Sequence, residues 1–237
     1  MNIRGYIHNY DNGVLTILAP FDKKDMLEHR EIADCEIRLN DGRTISNAQR
    51  RKIFALVNDI GDYASRISNQ REYTEVLRQL KLLYVRDKTD NEVIRRTLTR
   101  HYCELIDSDI FSLSDCSVTV ARGFIDWLVE LCLDYEIPCN DSLAILCEDI
   151  NRYMYLCIAK RKCAICGRKA DIHEVEKVGM GGNRQKMHHK GQLCEALCRL
   201  HHHEVENNTP QAEFDKKYHI NPIRLDEYLC RQIGWKI

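Results

Sequence analysis

The sequence predicts an α+β fold in two parts. Residues 1–158 read as a mixed β-hairpin and helical domain, and residues 159–237 as a compact, basic module. Three observations predict this. The first 45 residues alternate with period 2 around tight-turn triplets, and residues 46 to about 160 then recur at helical spacing. The last third of the chain collects 7 of the 10 His and 5 of the 12 Cys. At 44% hydrophobic and 30% charged, with a mean hydropathy of -0.45, the composition is that of a globular protein. No run of about 18 apolar residues exists, so no membrane span is expected. Met1–Gly5 leads into no apolar segment of the kind a secretory signal carries, and a cytoplasmic location is expected.

The elements follow in order. Asn2–Tyr10 and Val14–Pro20 flank Asp11-Asn12-Gly13, whose residues supply the positive φ angles of a tight hairpin turn. Cys35–Leu39 alternates, and Asn40-Asp41-Gly42 repeats the turn chemistry before Arg43–Ile45. Ser46-Asn47-Ala48-Gln49 is a capping box, followed by Ile53, Leu56, Val57 and Ile60 on one helical face until Gly61. Further helices are expected over Glu72–Tyr84, Asn91–Ile106 and Ser117–Tyr135. A last one, capped by Asn140 or Asp141, runs through Leu143, Leu146, Ile150 and Tyr153 to Ile158. Seven cysteines (Cys35, Cys103, Cys116, Cys132, Cys139, Cys147, Cys157) stand singly among apolar residues and read as buried thiols. No nucleotide-binding glycine loop or catalytic triad pattern occurs in this part.

Charge separates the same two parts. The whole chain carries -1, but residues 159–237 carry +5 and residues 1–158 carry -6. The basic module is compatible with nucleic-acid contact. In the first part, Arg43, Arg50, Arg51 and Lys52 cluster at a helix start, and Arg95, Arg96 and Arg100 on another helix. Such clusters are either solvated helix faces or the wall of a groove that follows a DNA backbone.

The module holds the most specific pattern. Cys163-Ala164-Ile165-Cys166-Gly167 follows Lys160-Arg161-Lys162, and Cys198-Arg199-Leu200-His201 comes later. Two pairs with two-residue spacing match a tetrahedral structural Zn²⁺ site, which would hold together a module too small for its own core. The alternatives are unrelated buried residues or a redox pair. Cys194 and Cys230 lack such a partner and are left out. Thr209-Pro210 opens a further helix, and Phe214, Tyr218, Ile223, Leu225, Leu229 and Trp235 are expected to anchor the tail.

Between and after the pairs lie Ile172 to Arg184 (including His173-Glu174-Val175 and Val178-Gly179-Met180-Gly181), Leu197 to Glu206, and Lys217-Tyr218-His219. In this order the stretches resemble the zinc-knuckle HNH endonucleases, most closely those of phage type. The resemblance implies a ββα-metal module: the knuckle opens a hairpin, a basic loop spans Gly179–Gly191, and a helix from about Glu195 carries the last ligands. It places a catalytic Mg²⁺ or Mn²⁺ on His173, His202 and Glu206, and the base that activates water on Glu174. Glu174 and Glu206 stand where the family has histidines, and His188 stands near its middle asparagine. A carboxylate ligand suits Mg²⁺ or Mn²⁺, whereas an ordinary glutamate near pKa ~4.3 is a weaker base at neutral pH than histidine near ~6.5. His188, His189 or His203 could compensate. Lys177, Arg184 and Lys186, with Lys190, suit a phosphate backbone, as does a simply solvated loop.

The hairpins and Asp41–Leu56 resemble phage Orf-family recombination mediators. That resemblance implies binding of single-stranded or branched DNA, often as a homodimer, and help in loading a recombinase on DNA coated with single-strand binding protein. The expected function is therefore a phage recombination protein carrying an HNH endonuclease module. The rivals are a non-catalytic single-strand binding mediator with a degenerate zinc module, and a metal-stabilised protein-interaction adaptor.

Overall fold

Asn12 and Gly13 both adopt positive φ (47° and 82°), the two-residue turn that matches the twist of its flanking strands. They join β1 (Tyr6–Asp11) to β2 (Val14–Leu18), antiparallel with Asp11 opposite Val14. The computed structural model describes residues 6–20, 43–83, 90–176 and 189–236. It divides into two units, Met1–Asp41 and Gly42–Ile237. The strand expected over Cys35–Leu39 and its following turn lie outside the described residues.

The second unit begins on the capping box. Ser46 Oγ accepts from the Gln49 N–H, and the Gln49 side chain accepts from the Ser46 N–H. The helix they start, α1 (Asn47–Ile67), continues past Gly61, because the apolar spacing continues through buried Ala64 and Ile67. A 3₁₀ turn (Arg71–Tyr73) and α2 (Thr74–Gln79) replace the long helix expected over Glu72–Tyr84. Lys81, at φ 59°, ends the helical path there, and Leu77, Leu80 and Leu82 are buried around it. α3 (Asn91–Leu105) is capped by Asp90, and α4 (Val118–Asp134) by Ser117. The final expected helix is two: α5 (Leu143–Leu146) and α6 (Ile150–Lys160). Asp126 on α4 takes the N–H groups of Glu148 and Asp149 in the break, and Asp149 then caps α6.

α1 packs on α3 and α4, with Phe124, Trp127, Tyr102 and Phe111 in mutual ring contact. One continuous core runs from Ile45 to Ile233, so the division expected after residue 158 falls inside this unit. α6 is the shared element, touching α4 on one side and β4 (Leu193–Leu197), β5 (Ile223–Arg224) and α9 (Glu227–Ile233) on the other. β3 (Asp171–Glu174) completes an antiparallel sheet in the order β3-β4-β5. The helix expected from about Glu195 is instead β4; α7 (Arg199–Asn207) starts after Cys198, and α8 (Gln211–Tyr218) follows Pro210. An apolar run of five residues has no periodicity to tell strand from helix. No described helix is long and apolar enough to cross a membrane.

Of the scattered cysteines within the described residues, Cys139 is half-buried and the others are buried. Burial lifts the Cys147 thiol to about 12, which leaves it protonated and inert.

Candidate metal centre

The first cluster forms where α6 stops. Arg161 turns the chain out of the helix in a left-handed conformation and donates to the Ile233 carbonyl. The knuckle closes on itself, with Gly167 at φ 67° and its N–H on the Cys163 carbonyl at 2.8 Å. The Ala164 N–H binds the Ala196 carbonyl, tying the knuckle to β4, and β4 delivers Cys198. Cys198 is the N-cap of α7, which puts His201 one turn along and on the same side.

The donor atoms of Cys163, Cys166, Cys198 and His201 all lie within 4.8 Å of one another. His201 Nδ1 is 3.3 Å from both Cys163 Sγ and Cys198 Sγ, and Cys166 Sγ is 3.7 Å from Cys198 Sγ. Around a tetrahedral Zn²⁺, bond lengths of about 2.3 Å to sulfur and about 2.05 Å to nitrogen put S···S near ~3.8 Å and S···N near ~3.6 Å. The donor set fits zinc in both chemistry and spacing. Burial lifts the Cys163 thiol to about 12. Burial also raises Cys166, but the Arg168 guanidinium, 3.3 Å from its sulfur, and neighbouring donors outweigh it and leave that thiol lowered. Burial lowers His201, keeping the imidazole neutral as a ligand must be. The ring of Tyr218 stands edge-on to His201, and its hydroxyl and Lys217 both bind Glu204, bracing α8 against α7.

A second cluster shares α7 with the first and adds β3. His173 on β3 and His202 and Glu206 on α7 place their donors within 4.8 Å of one another. His173 Nδ1 is 3.2 Å from His202 Nε2, and Glu206 Oε2 is 3.2 Å from His202 Nδ1. Two nitrogens on one octahedral ion at about 2.1 Å stand about 3 Å apart, so the two imidazoles fit a shared divalent ion. His173 is buried at 5% exposure, while His202 and Glu206 open to solvent. Glu174 is placed apart from this set. The register pairs it with Cys194, whereas His173 pairs with Glu195, and adjacent residues of a strand face opposite sides. His203 is exposed; His189 contacts Gln192 and the Trp235 ring. His188 lies outside the described residues.

Of the basic residues expected at DNA, Lys177, Arg184 and Lys186 also lie outside them. Arg50 donates to the Ser114 carbonyl at 2.7 Å, and Lys52 binds Glu148 at 2.8 Å and the Cys147 carbonyl. Arg51 is exposed. On α3, Arg95 and Arg96 both bind Glu92.

Sequence reasoning missed two residues beside the second cluster, Glu195 and Gln211. Gln211 Nε2 donates to Glu195 Oε1 at 3.0 Å and Asp215 Oδ1 at 2.7 Å, and its Oε1 lies 3.3 Å from His173 Nε2. The signal was a lone carboxylate in the apolar run Leu193-Cys194-Glu195-Ala196-Leu197. Glu195 is 0% exposed, and among the described residues its Oε2 has no hydrogen-bond partner. Burial lifts its carboxyl to about 7; Gln211 holds it down in part and Asp215 pushes it up.

A raised carboxyl pKa destabilises the fold once the pH exceeds the unfolded value, because folding then demands a proton or buries a charge. Stability is thus expected to fall as pH rises from about 4.5 to about 7 and to level off above. Glu195→Gln, neutral at every pH, should nearly match the wild type at pH 5. By pH 8 it should be more stable by about 3 kcal/mol. Urea unfolding at both pH values, with zinc retained, measures the difference; a pH-independent one overturns the expectation.

A β-hairpin and a helix gather a Cys/His set that could hold a metal ion, and a second possible ligand set spans β3 and the same helix. The chain belongs to the family described as "Putative HNHc nuclease", whose model matches residues 19–234. The match extends beyond the module into the helical part and up to β2, and it makes a nuclease, a hydrolase acting on nucleic acid, the reading of the whole chain. No curated protein and no solved structure matches it.

Proposed function

We propose that the protein is a metal-dependent DNA endonuclease of phage recombination. Cys163, Cys166, Cys198 and His201 hold structural Zn²⁺, and His173, His202 and Glu206 hold Mg²⁺ or Mn²⁺. The observation that carries this reading is the second cluster: three possible ligand groups gathered from β3 and from α7, the helix that also carries His201 of the zinc set. A divalent ion held there would supply Lewis-acid polarisation of a phosphate and would acidify a water. His202 and Glu206 set the solvent-facing side on which a phosphodiester would bind, with His173 behind them. Glu174 occupies the position that the HNH resemblance gives to the proton acceptor. Arg51, Lys177, Arg184 and Lys186 are the proposed DNA contacts; Arg50 and Lys52 would have to leave Ser114 and Glu148 to join them. In the Orf-like reading, the substrate is single-stranded or branched DNA in the host cytoplasm. A homodimer then acts beside single-strand binding protein or a recombinase.

Purified zinc-loaded protein, incubated with supercoiled plasmid, circular single-stranded DNA and a four-way junction in Mg²⁺ or Mn²⁺, should cut. The double variant His173→Ala, His202→Ala should not. Equal DNA breakdown by both proteins would sink the nuclease reading.

The second reading is a non-catalytic single-strand DNA mediator with a degenerate module. The placement of Glu174 across the sheet from the ligands favours it. Gel-shift binding of single strands without cleavage, unchanged in the double variant, would establish that reading.

A further inference from the structure

We infer that Gln211 is a positioning residue for the divalent-ion site. Its side-chain amide, anchored by Glu195 and Asp215, holds His173 as the Nε2–H tautomer and turns Nδ1 toward His202 and Glu206. The inference rests on the reading that these three residues hold an ion.

The argument is one of donors and acceptors. A glutamine amide carries both donors on nitrogen and its acceptor on oxygen, and which end is which follows from its partners. One end of Gln211 lies between Glu195 Oε1 at 3.0 Å and Asp215 Oδ1 at 2.7 Å. Carboxyl oxygens on both sides make that end the nitrogen, and its two hydrogens serve the two acceptors. The other end is then the oxygen, 3.3 Å from His173 Nε2. An oxygen only accepts, so Nε2 must bear the hydrogen. In a neutral imidazole the lone pair is then left on Nδ1, the nitrogen 3.2 Å from His202 Nε2.

Each anchor comes from a different element. Glu195 stands directly across the sheet from His173, and Asp215 lies one helical turn beyond Gln211 on α8. Sheet register and helix geometry therefore fix both ends of the amide before any ion arrives. This also accounts for a buried carboxylate in an otherwise apolar strand. Among the described residues, the bond that Glu195 makes is the one to Gln211, and its other oxygen has no partner. Partners of this kind orient imidazole ligands, and losing one typically weakens metal binding 10–100-fold.

The test uses the full chain, zinc-loaded and ¹⁵N-histidine-labelled, with no other metal added. Long-range ¹H–¹⁵N spectra should show His173 as Nε2–H in the wild type and as a mixture of tautomers in Gln211→Leu. Mn²⁺ affinity, read by electron paramagnetic resonance, should fall about 10–100-fold in Gln211→Leu. Zinc content should stay unchanged, and Glu213→Ala, on the exposed side of α8, should bind Mn²⁺ like the wild type. A His173 protonated on Nδ1 in the wild type, or unaltered Mn²⁺ affinity in Gln211→Leu, overturns the inference. If Gln211→Leu fails to fold, the wild-type tautomer decides alone. If the wild type binds no Mn²⁺ that His202→Ala abolishes, the ion-site reading fails, while the tautomer still reports whether Gln211 orients the ring.

Discussion

Exchanging Cys198 for Ser is expected to release the bound zinc and lower the unfolding temperature by roughly 10–20 °C. Cys198 belongs to the proposed zinc set, stands at the N-cap position of α7, and directly follows the central strand of the module's sheet. Without the ion, a Cys163 thiol that burial holds near 12 and a buried His201 share a space with no charge to satisfy. Structural zinc contributes about 10–16 kcal/mol in isolated finger peptides. Here α6 and α9 pack the module onto a larger core, so part of it should persist without metal. A loss of about 5 kcal/mol is the expectation, which at about 2–4 °C per kcal/mol gives the stated shift. Cys230→Ser on α9 is the control. That residue is equally buried but stands outside the cluster, so it should keep its zinc and shift by only a few degrees. Calorimetry with metal analysis reads both; a zinc-free variant that melts with the wild type would remove the structural role of the site.

What could be read from the sequence was what local spacing encodes. The pairs Cys163/Cys166 and Cys198/His201 each have two residues between them, and any turn that bends both toward one point gathers them. The turn at Asn12-Gly13 and the capping box at Ser46 are local in the same sense, set by φ preferences and by a side chain reaching three residues along. Boundaries were less legible wherever a distant group decides them. Asp126 stops the last expected helix by taking two N–H groups from Glu148 and Asp149, and nothing near residue 147 announces it. The resemblance implied a helix from about Glu195, but Glu195–Leu197 belong to β4, and pairing with β3 and β5 makes that segment a strand. Gln211 and Glu195 are the extreme case. Their partners lie 38 and 16 residues away, so their part at the site exists only once the sheet and α8 are assembled. The second ligand set lay between these limits: His202 and Glu206 share a face by helical spacing, but His173 joined them on the strength of a family resemblance.

The geometry also separates the ligands from the residue assigned as base, and this yields the second large effect. His202→Ala is expected to slow Mn²⁺-dependent cutting by at least about 10²-fold, because it removes one of the three ligand groups proposed for the ion. A general base in the reaction path contributes about 10²–10⁴-fold. Glu174, however, pairs with Cys194 on the face of β3 opposite His173. With its carboxylate across the strand from the ligand set, Glu174→Gln should slow cutting less than tenfold. A loss of 10² or more in Glu174→Gln, with zinc and Mn²⁺ binding intact, would show that the carboxylate reaches the attacking water and that the family's base position is kept as glutamate. A small loss instead makes the ion's acidification of water the principal source of the nucleophile. Comparing the two variants under single-turnover conditions across pH separates the outcomes, since loss of a ligand lowers Mn²⁺ affinity and rate together, whereas loss of a base lowers the rate alone.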